Sequence, residues 1–177
     1  VVTDENNCST TQTFTLVEPD VLEIDASTIS SYEDGYGVTC NGASDGTISI
    51  DVIGGADQQA YSFVWTKDGA SFSTDEDLTG LGAGVYAVTI TDVNGCSVSD
   101  SWTITEPDVL EISASNVPEF QDGYEVTCNG ATDGSISIDV IGGADAQAYT
   151  FAWTGPDGFT SSSEDLTGLG AGTYVVV

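Results

Sequence analysis

Carboxylates and thiols are nearly the only groups in this chain with chemistry to offer. Of 177 residues, 29 are Asp or Glu, a single base is present at Lys67, and there is no His. Nucleophilic catalysis needs a base that titrates usefully, and one lysine does not supply it. Lys67 is moreover replaced by Gly155 at the corresponding place in the second half of the chain. Paired carboxylates serve glycosidases, but an active site copied at intervals along one chain is implausible, so no enzyme is expected. Two chemistries remain: oxygen ligation of a hard cation, and disulfide formation.

The reason for speaking of copies is internal repetition, the feature that most changes a fold assignment when overlooked. VTCNGASDGTISIDVIGGAD at residues 38–57 returns as VTCNGATDGSISIDVIGGAD at 126–145, an offset of 88 residues. The same offset relates Cys8 to Cys96, Glu18-Pro19-Asp20 to Glu106-Pro107-Asp108, and Trp65 to Trp153. Between residues 20–88 and 108–176 roughly two-thirds of positions are identical without a gap. The expected organisation is therefore three pieces of a tandem array. Residues 1–19 are the C-terminal strands of a preceding repeat, 20–107 a complete repeat, and 108–177 a second repeat lacking its last strand.

Hard cations take several oxygen ligands from loops, commonly Asp, Asn and backbone carbonyls. In a sandwich built from this repeat, Glu18 and Asp20 fall at the same end as Asp57, Asp92 and Asn94. At the next junction Glu106, Asp108 and Asp145 face Asp34 and Asp45 of the preceding repeat. Calcium at repeat junctions is the one cofactor these residues suit. The bland reading is that Asp-Gly and Asn-Gly are turn formers and the other acids serve solubility. No EF-hand spacing is present.

Two cysteines fall in each period, and the absence of His and of a CxxC spacing turns them from metal ligands towards disulfides. Pairing Cys40 with Cys96 staples one repeat and leaves Cys8 and Cys128 to partners outside the chain; loop entropy gives that link about 4 kcal/mol. The alternative, Cys8–Cys40 and Cys96–Cys128, chains neighbouring repeats together. Disulfides point to an oxidising, extracellular setting.

The elements that must position these groups are strands. Thr47, Ser49 and Asp51 alternate with Ile48, Ile50 and Val52, a half-buried strand at period two. Residues 21–24 read as a short strand, 28–37 as a loop, and 67–77 as a loop or edge strand. Tyr61, Phe63 and Trp65 form the next inward face, which favours core packing of Trp65 and Trp153 over stacking on a sugar. Tyr86, Val88 and Ile90 lie in phase on another strand. Asn94-Gly95 is a hairpin signal, and Val98, Trp102 and Ile104 mark the return strand. The glycines of GLGAG and VIGGAD lack the strand-turn-helix context of a phosphate cradle and read as turns. About seven short strands per repeat imply an all-β protein of tandem immunoglobulin-like β-sandwich domains. The short proline linkers imply an extended rod.

A formal charge of −28 excludes nucleic acid, which needs clustered cations, and disfavours anionic membranes. Apolar residues make up 40% of the chain, enough for a core, and no membrane-inserting segment is present.

The block CNGASDGTISIDVIGG, then YSFVW, DLTGLGAGVYAVTITDVNGC and TITEP, resembles the SprB repeat of very large cell-surface proteins of gliding Bacteroidetes. The resemblance implies a repetitive adhesin exported by type IX secretion and displayed as filaments on the outer membrane. The reading is thus a stalk segment of a cell-surface adhesin for gliding motility or surface attachment. Its partners would be neighbouring repeats, surface polysaccharide or other adhesin chains. The rival readings are an array of polysaccharide-binding modules and a self-assembling extracellular filament subunit.

Overall fold

Period-two alternation is realised as strands throughout, with no regular structure besides them except three single-turn 3-10 segments among the described residues. The computed structural model describes residues 1–56, 60–144 and 149–177. A short hairpin comes first, β1 (Val2–Thr3) with β2 (Ser9–Thr10). The first repeat follows with β3 (Asp20–Ile29), β4 (Gly46–Gly55), β5 (Ser62–Lys67), β6 (Ala70–Ser73), β7 (Leu78–Leu81), β8 (Gly84–Thr91) and β9 (Ser97–Ile104). The second contains β10 (Asp108–Asn116), β11 (Gly134–Gly143), β12 (Trp153–Thr154), β13 (Thr160–Ser161), β14 (Leu166–Leu169) and β15 (Val175–Val176).

In the first repeat the strands divide into a three-stranded sheet, β3-β4-β7, and a four-stranded sheet, β6-β5-β8-β9. All pairings are antiparallel. The inward residues of both sheets meet in one core: Ile48 and Ile50 from β4, Leu78 and Leu81 from β7, Trp65 from β5, Tyr86, Val88 and Ile90 from β8, and Ile104 from β9. Two sheets sharing one core make a β-sandwich. The second repeat builds the sheets β10-β11-β14 and β13-β12-β15, and its core gathers Ile138, Trp153, Leu166 and Leu169.

Side-chain hydrogen bonds to backbone hold both cores in register. Trp65 Nε1 donates to Asp75 O at 2.7 Å, and Trp153 Nε1 to Ser163 O at 2.8 Å. The hydroxyls of Tyr61 and Tyr149 donate to Gly54 O and Gly142 O, each at 2.7 Å. Buried aromatics with a polar tip thus find the partner that burial demands. Both tryptophans are in the core, so neither is offered to a sugar.

Two elements differ from the sequence-based expectation. β3 extends from Asp20 to Ile29 rather than over residues 21–24 alone, and takes Thr28 and Ile29 out of the expected loop. Its outer face is exposed and its pairing with β4 contains register shifts, so alternation under-reports it. The shift between Asp20 and Glu23 is a bulge opposite Gly54 (φ 77°), where a Cβ would run into the Val21 carbonyl oxygen. Only glycine fits there. Gly80 and Leu81, the start of the GLGAG run read as a turn, belong instead to a strand, β7 (Leu78–Leu81).

Candidate functional site: the two poles of the repeat

The sandwich has an entry pole, where β3 begins at Asp20 opposite Gly55, and an exit pole, where β9 ends at Ile104. The described acidic candidates fall at these poles, and three of them, Asp92, Asp45 and Glu106, accept backbone N–H groups.

At the entry pole the Asp92 side chain is 5% exposed. Its Oδ1 accepts the N–H groups of Asn94 and Cys96, at 2.9 and 2.8 Å, and its Oδ2 accepts that of Ala56 at 3.0 Å. Asp92 therefore closes the β8–β9 hairpin and ties it to the end of β4. The Ala56 N–H foremost, with further help from Cys96, Asn94 and Gly95, holds this carboxyl below the ordinary aspartate range, although desolvation pulls the other way. Asp4 plays the same part in the first hairpin, accepting from Asn6 and Cys8. Asn94 lies in the turn itself, while Glu18 and Asp20 are exposed.

At the exit pole Asp45 accepts the Thr39 hydroxyl at 2.6 Å and the Thr39 N–H at 3.1 Å. The hydroxyl bond is the main reason its carboxyl is lowered, and Asp133 with Thr127 repeats the arrangement in the second repeat. Glu106 Oε2 accepts Gly42 N–H at 2.7 Å, and Asn41 Nδ2 donates to Pro107 O at 3.0 Å. Gly37 N–H adds a bond to Thr105 O at 2.9 Å. Asp34 occupies a left-handed position (φ 57°) in the 3-10 turn Glu33–Gly35, and Asp108 opens β10 exposed. Asp57 and Asp145 lie outside the described residues.

At these poles Asp92 and Asp45 serve as hairpin and turn caps. Among the described residues no three Cys, Asp or Glu side chains converge to hold a metal ion. The clasp made by Asn41, Gly42, Glu106 and Pro107 escaped sequence reasoning. Its signal was the return of CNG with every EPD, motifs 64 residues apart in the chain but adjacent in space. The capping of β4 by Asp77 Oδ1, which accepts Ile50 N–H at 3.0 Å, was missed as well; Asp165 does the same for Ile138 at 3.1 Å.

The cysteines require a correction. All four are free and exposed, so neither the Cys40–Cys96 link nor the alternative Cys8–Cys40 and Cys96–Cys128 pairing is formed. Cys96 immediately precedes β9 at the entry pole, whereas Cys40 adjoins the clasp at the exit pole. The eight residues of β9 put about 25 Å between them, against the roughly 7 Å limit between the Cα atoms of a disulfide. Lys67 ends β5 at the β5–β6 turn, with Nζ 5.4 Å from the centre of the Tyr86 ring, a cation–π placement.

Comparison with known proteins adds the family. The SprB repeat model matches the chain twice, over residues 38–70 and 125–158. Each match begins at or just before the Val-Thr-Cys-Asn-Gly turn of the exit pole and runs through the long strand after it, β4 or β11. No curated protein matches the chain. The chain thus holds two stretches that match the SprB repeat, a repeat found in cell-surface proteins.

Proposed function

We propose that these SprB repeats form a stalk segment of a large bacterial cell-surface adhesin, displayed outside the outer membrane and serving gliding motility or surface attachment. One observation carries the reading: the side chains shared by the two repeats are spent on structure. Trp65 and Trp153, Tyr61 and Tyr149, Asp77 and Asp165, and the Asp45–Thr39 and Asp133–Thr127 pairs all bond backbone or one another in matching ways. A repeat selected for catalysis or ligand recognition would keep some of its common polar groups free and convergent. Here they fix strands and turns, as a spacer requires. Export by the type IX route belongs to the same proposal through the family resemblance.

The test is in-frame removal of two repeats from the host protein's array, with filament length and attachment measured on cells. Shorter filaments that still attach are expected. Loss of attachment with filaments intact would place an adhesive site within the repeats and favour the polysaccharide-binding reading, for which a glycan array with the purified chain is the direct check.

A further inference from the structure

The sandwich of the first repeat has two outer faces, and they differ in charge. On β3-β4-β7 the outward positions include Glu23, opposite Ile53, and Asp51, opposite Ala26, and both carboxylates are exposed. The second repeat keeps them as Glu111 and Asp139. On the other sheet, the outward side of β5, β8 and β9 carries no charged side chain among the described residues. Its central rows are Val64–Thr89–Ser99 and Thr66–Ala87–Ser101, and the rows beyond them hold only Ser, Thr and Val. The charged residues of these strands, Lys67 and Asp100, sit opposite Tyr86 and Val88 and so belong to the other side.

Acids make up 29 of the 177 residues, and a face that served only to stay wet would share them. Side chains on this face change between repeats while its neutrality does not. The pair Val64–Thr89 becomes Ala152–Val177, and Thr66–Ala87 becomes Thr154–Val175. The outward positions of β9, Ser97, Ser99, Ser101 and Thr103, read Ser9, Thr11, Thr13 and Thr15 one period earlier. Strand propensity accounts for the Thr and Val. The acids on β3 and β4 show that it does not exclude charge.

We propose that this neutral face of the first repeat packs against the same face of a second copy of the chain, so that copies lie side by side. Two chains of formal charge −28 repel wherever their acidic surfaces meet, and this face is where neither contributes charge. The chemistry is self-complementary. A hydroxyl both donates and accepts, so a Ser/Thr face can bond its own image, whereas carboxylates only accept. Thr89 and Ser99 already pair in this way across strands, at 3.1 Å. Between the hydroxyls, Val64 and Val85, 53% and 47% exposed, supply apolar contact. A sugar is a poorer occupant, because the aromatic rings of these strands, Trp65, Tyr86 and Trp102 among them, turn inward to the core. The eight residues of β8 and three strands spaced ~4.8 Å apart give a face of about 350–400 Å², less than each partner of a stable complex buries. One such contact is weak, and an array that repeats it gains by multivalency.

Methyl NMR of the 177-residue chain over a concentration series reaching about 1 mM, with sedimentation equilibrium alongside, tests this. Association is expected, with the Val64, Val85 and Ala87 methyl signals shifting as it proceeds and that of Ile53, exposed on the opposite face, standing still. Raising sodium chloride should strengthen it by screening the acidic remainder of the surface. Ser101→Glu brings a charge into the face of both copies and should weaken association at least about tenfold without moving the melting curve. Ser49→Glu, the same change at an exposed outward position of β4, should leave association nearly as it was. A wild type that stays monomeric, shifts centred on Ile53, or equal weakening by the two variants overturns the proposal. So do Val64 shifts that appear only when a neutral polysaccharide such as dextran is added, which would give the face to a glycan. The stalk reading is untouched by the self-association outcomes, since its test is made on cells.

Discussion

Glu106 and Gly42 are joined by a 2.7 Å bond from the Gly42 backbone N–H to the Glu106 carboxylate, across 64 residues of sequence. The bond pins the exit of β9 to the turn that carries Cys40, and with the Asn41–Pro107 bond it fixes where one repeat hands over to the next. Glu106→Ala should lower the stability of the first repeat by about 1 kcal/mol, discounted for partial exposure. For a unit of this size that is a fall in its melting midpoint of about 4–8 °C. Thermal denaturation followed by tryptophan fluorescence is the measurement, and an unchanged midpoint would show the clasp to be ornamental.

Gly54→Ala should be far more damaging. The residue needs positive φ, and its missing Cβ leaves room for the Val21 carbonyl. The conformational cost alone is about 1–2 kcal/mol, and the collision adds to it by forcing β3 off β4. Urea unfolding should show a midpoint well below wild type. Gly42→Ala, with open space around the position that a Cβ would take, should cost less.

Acid should loosen the entry pole. The Asp92 carboxyl is lowered in the fold, chiefly by the Ala56 N–H. A depressed folded-state value means that its stabilisation is fully present above the unfolded aspartate value, about 3.9, and is lost as pH falls through the lower folded value. Asp45 and Asp133, lowered foremost by the hydroxyls of Thr39 and Thr127, act in the same window. Stability should therefore decline with decreasing pH below about 4. Asp92→Asn should be less stable than wild type at neutral pH and show a shallower decline in acid. A variant whose acid limb matches wild type would remove Asp92 from the account.

Chelation offers a check on the same side chains. With Asp92, Asp45 and Glu106 engaged by backbone and hydroxyl donors, a chelator should leave the melting midpoint unchanged. A rise of several degrees on adding millimolar calcium would return these carboxylates, with Glu18, Asp20, Asp34 and Asp108, to ligand duty.

The thiols should behave as four independent exposed groups. Alkylation of the native chain without reductant should add four labels by intact mass, and replacing Cys40 and Cys96 together with Ser should not shift the midpoint. A mass two units low, with two thiols refusing the label, would contradict the placement of Cys40 and Cys96 at opposite poles.

Much of this architecture could be read before the fold was seen, and the reason is local. Ile48, Ile50 and Val52 alternate with polar residues because β4 has one face in the core, and Asn94-Gly95 announces the hairpin that Asp92 closes. What escaped depends on partners distant in sequence. The exposed residues of β3 show little alternation because its pairing is carried by backbone around a bulge. The clasp joins two motifs that are unremarkable separately. The cysteine pairing failed because regular spacing between Cys40 and Cys96 carries no information about which pole each occupies. For the acids, composition reveals their number, while only the surrounding N–H groups reveal that Asp92 and Asp45 are caps.

The placement of the two poles has a mechanical consequence. Tension along the chain enters the first repeat where β3 begins, beside Gly55, and leaves where β9 ends, beside the clasp. These points lie at opposite ends of the sandwich, so the pull runs parallel to the strands. The β3–β4 and β8–β9 ladders are then loaded in shear, with their hydrogen bonds sharing the force together, whereas a pull applied at one pole would peel them apart singly.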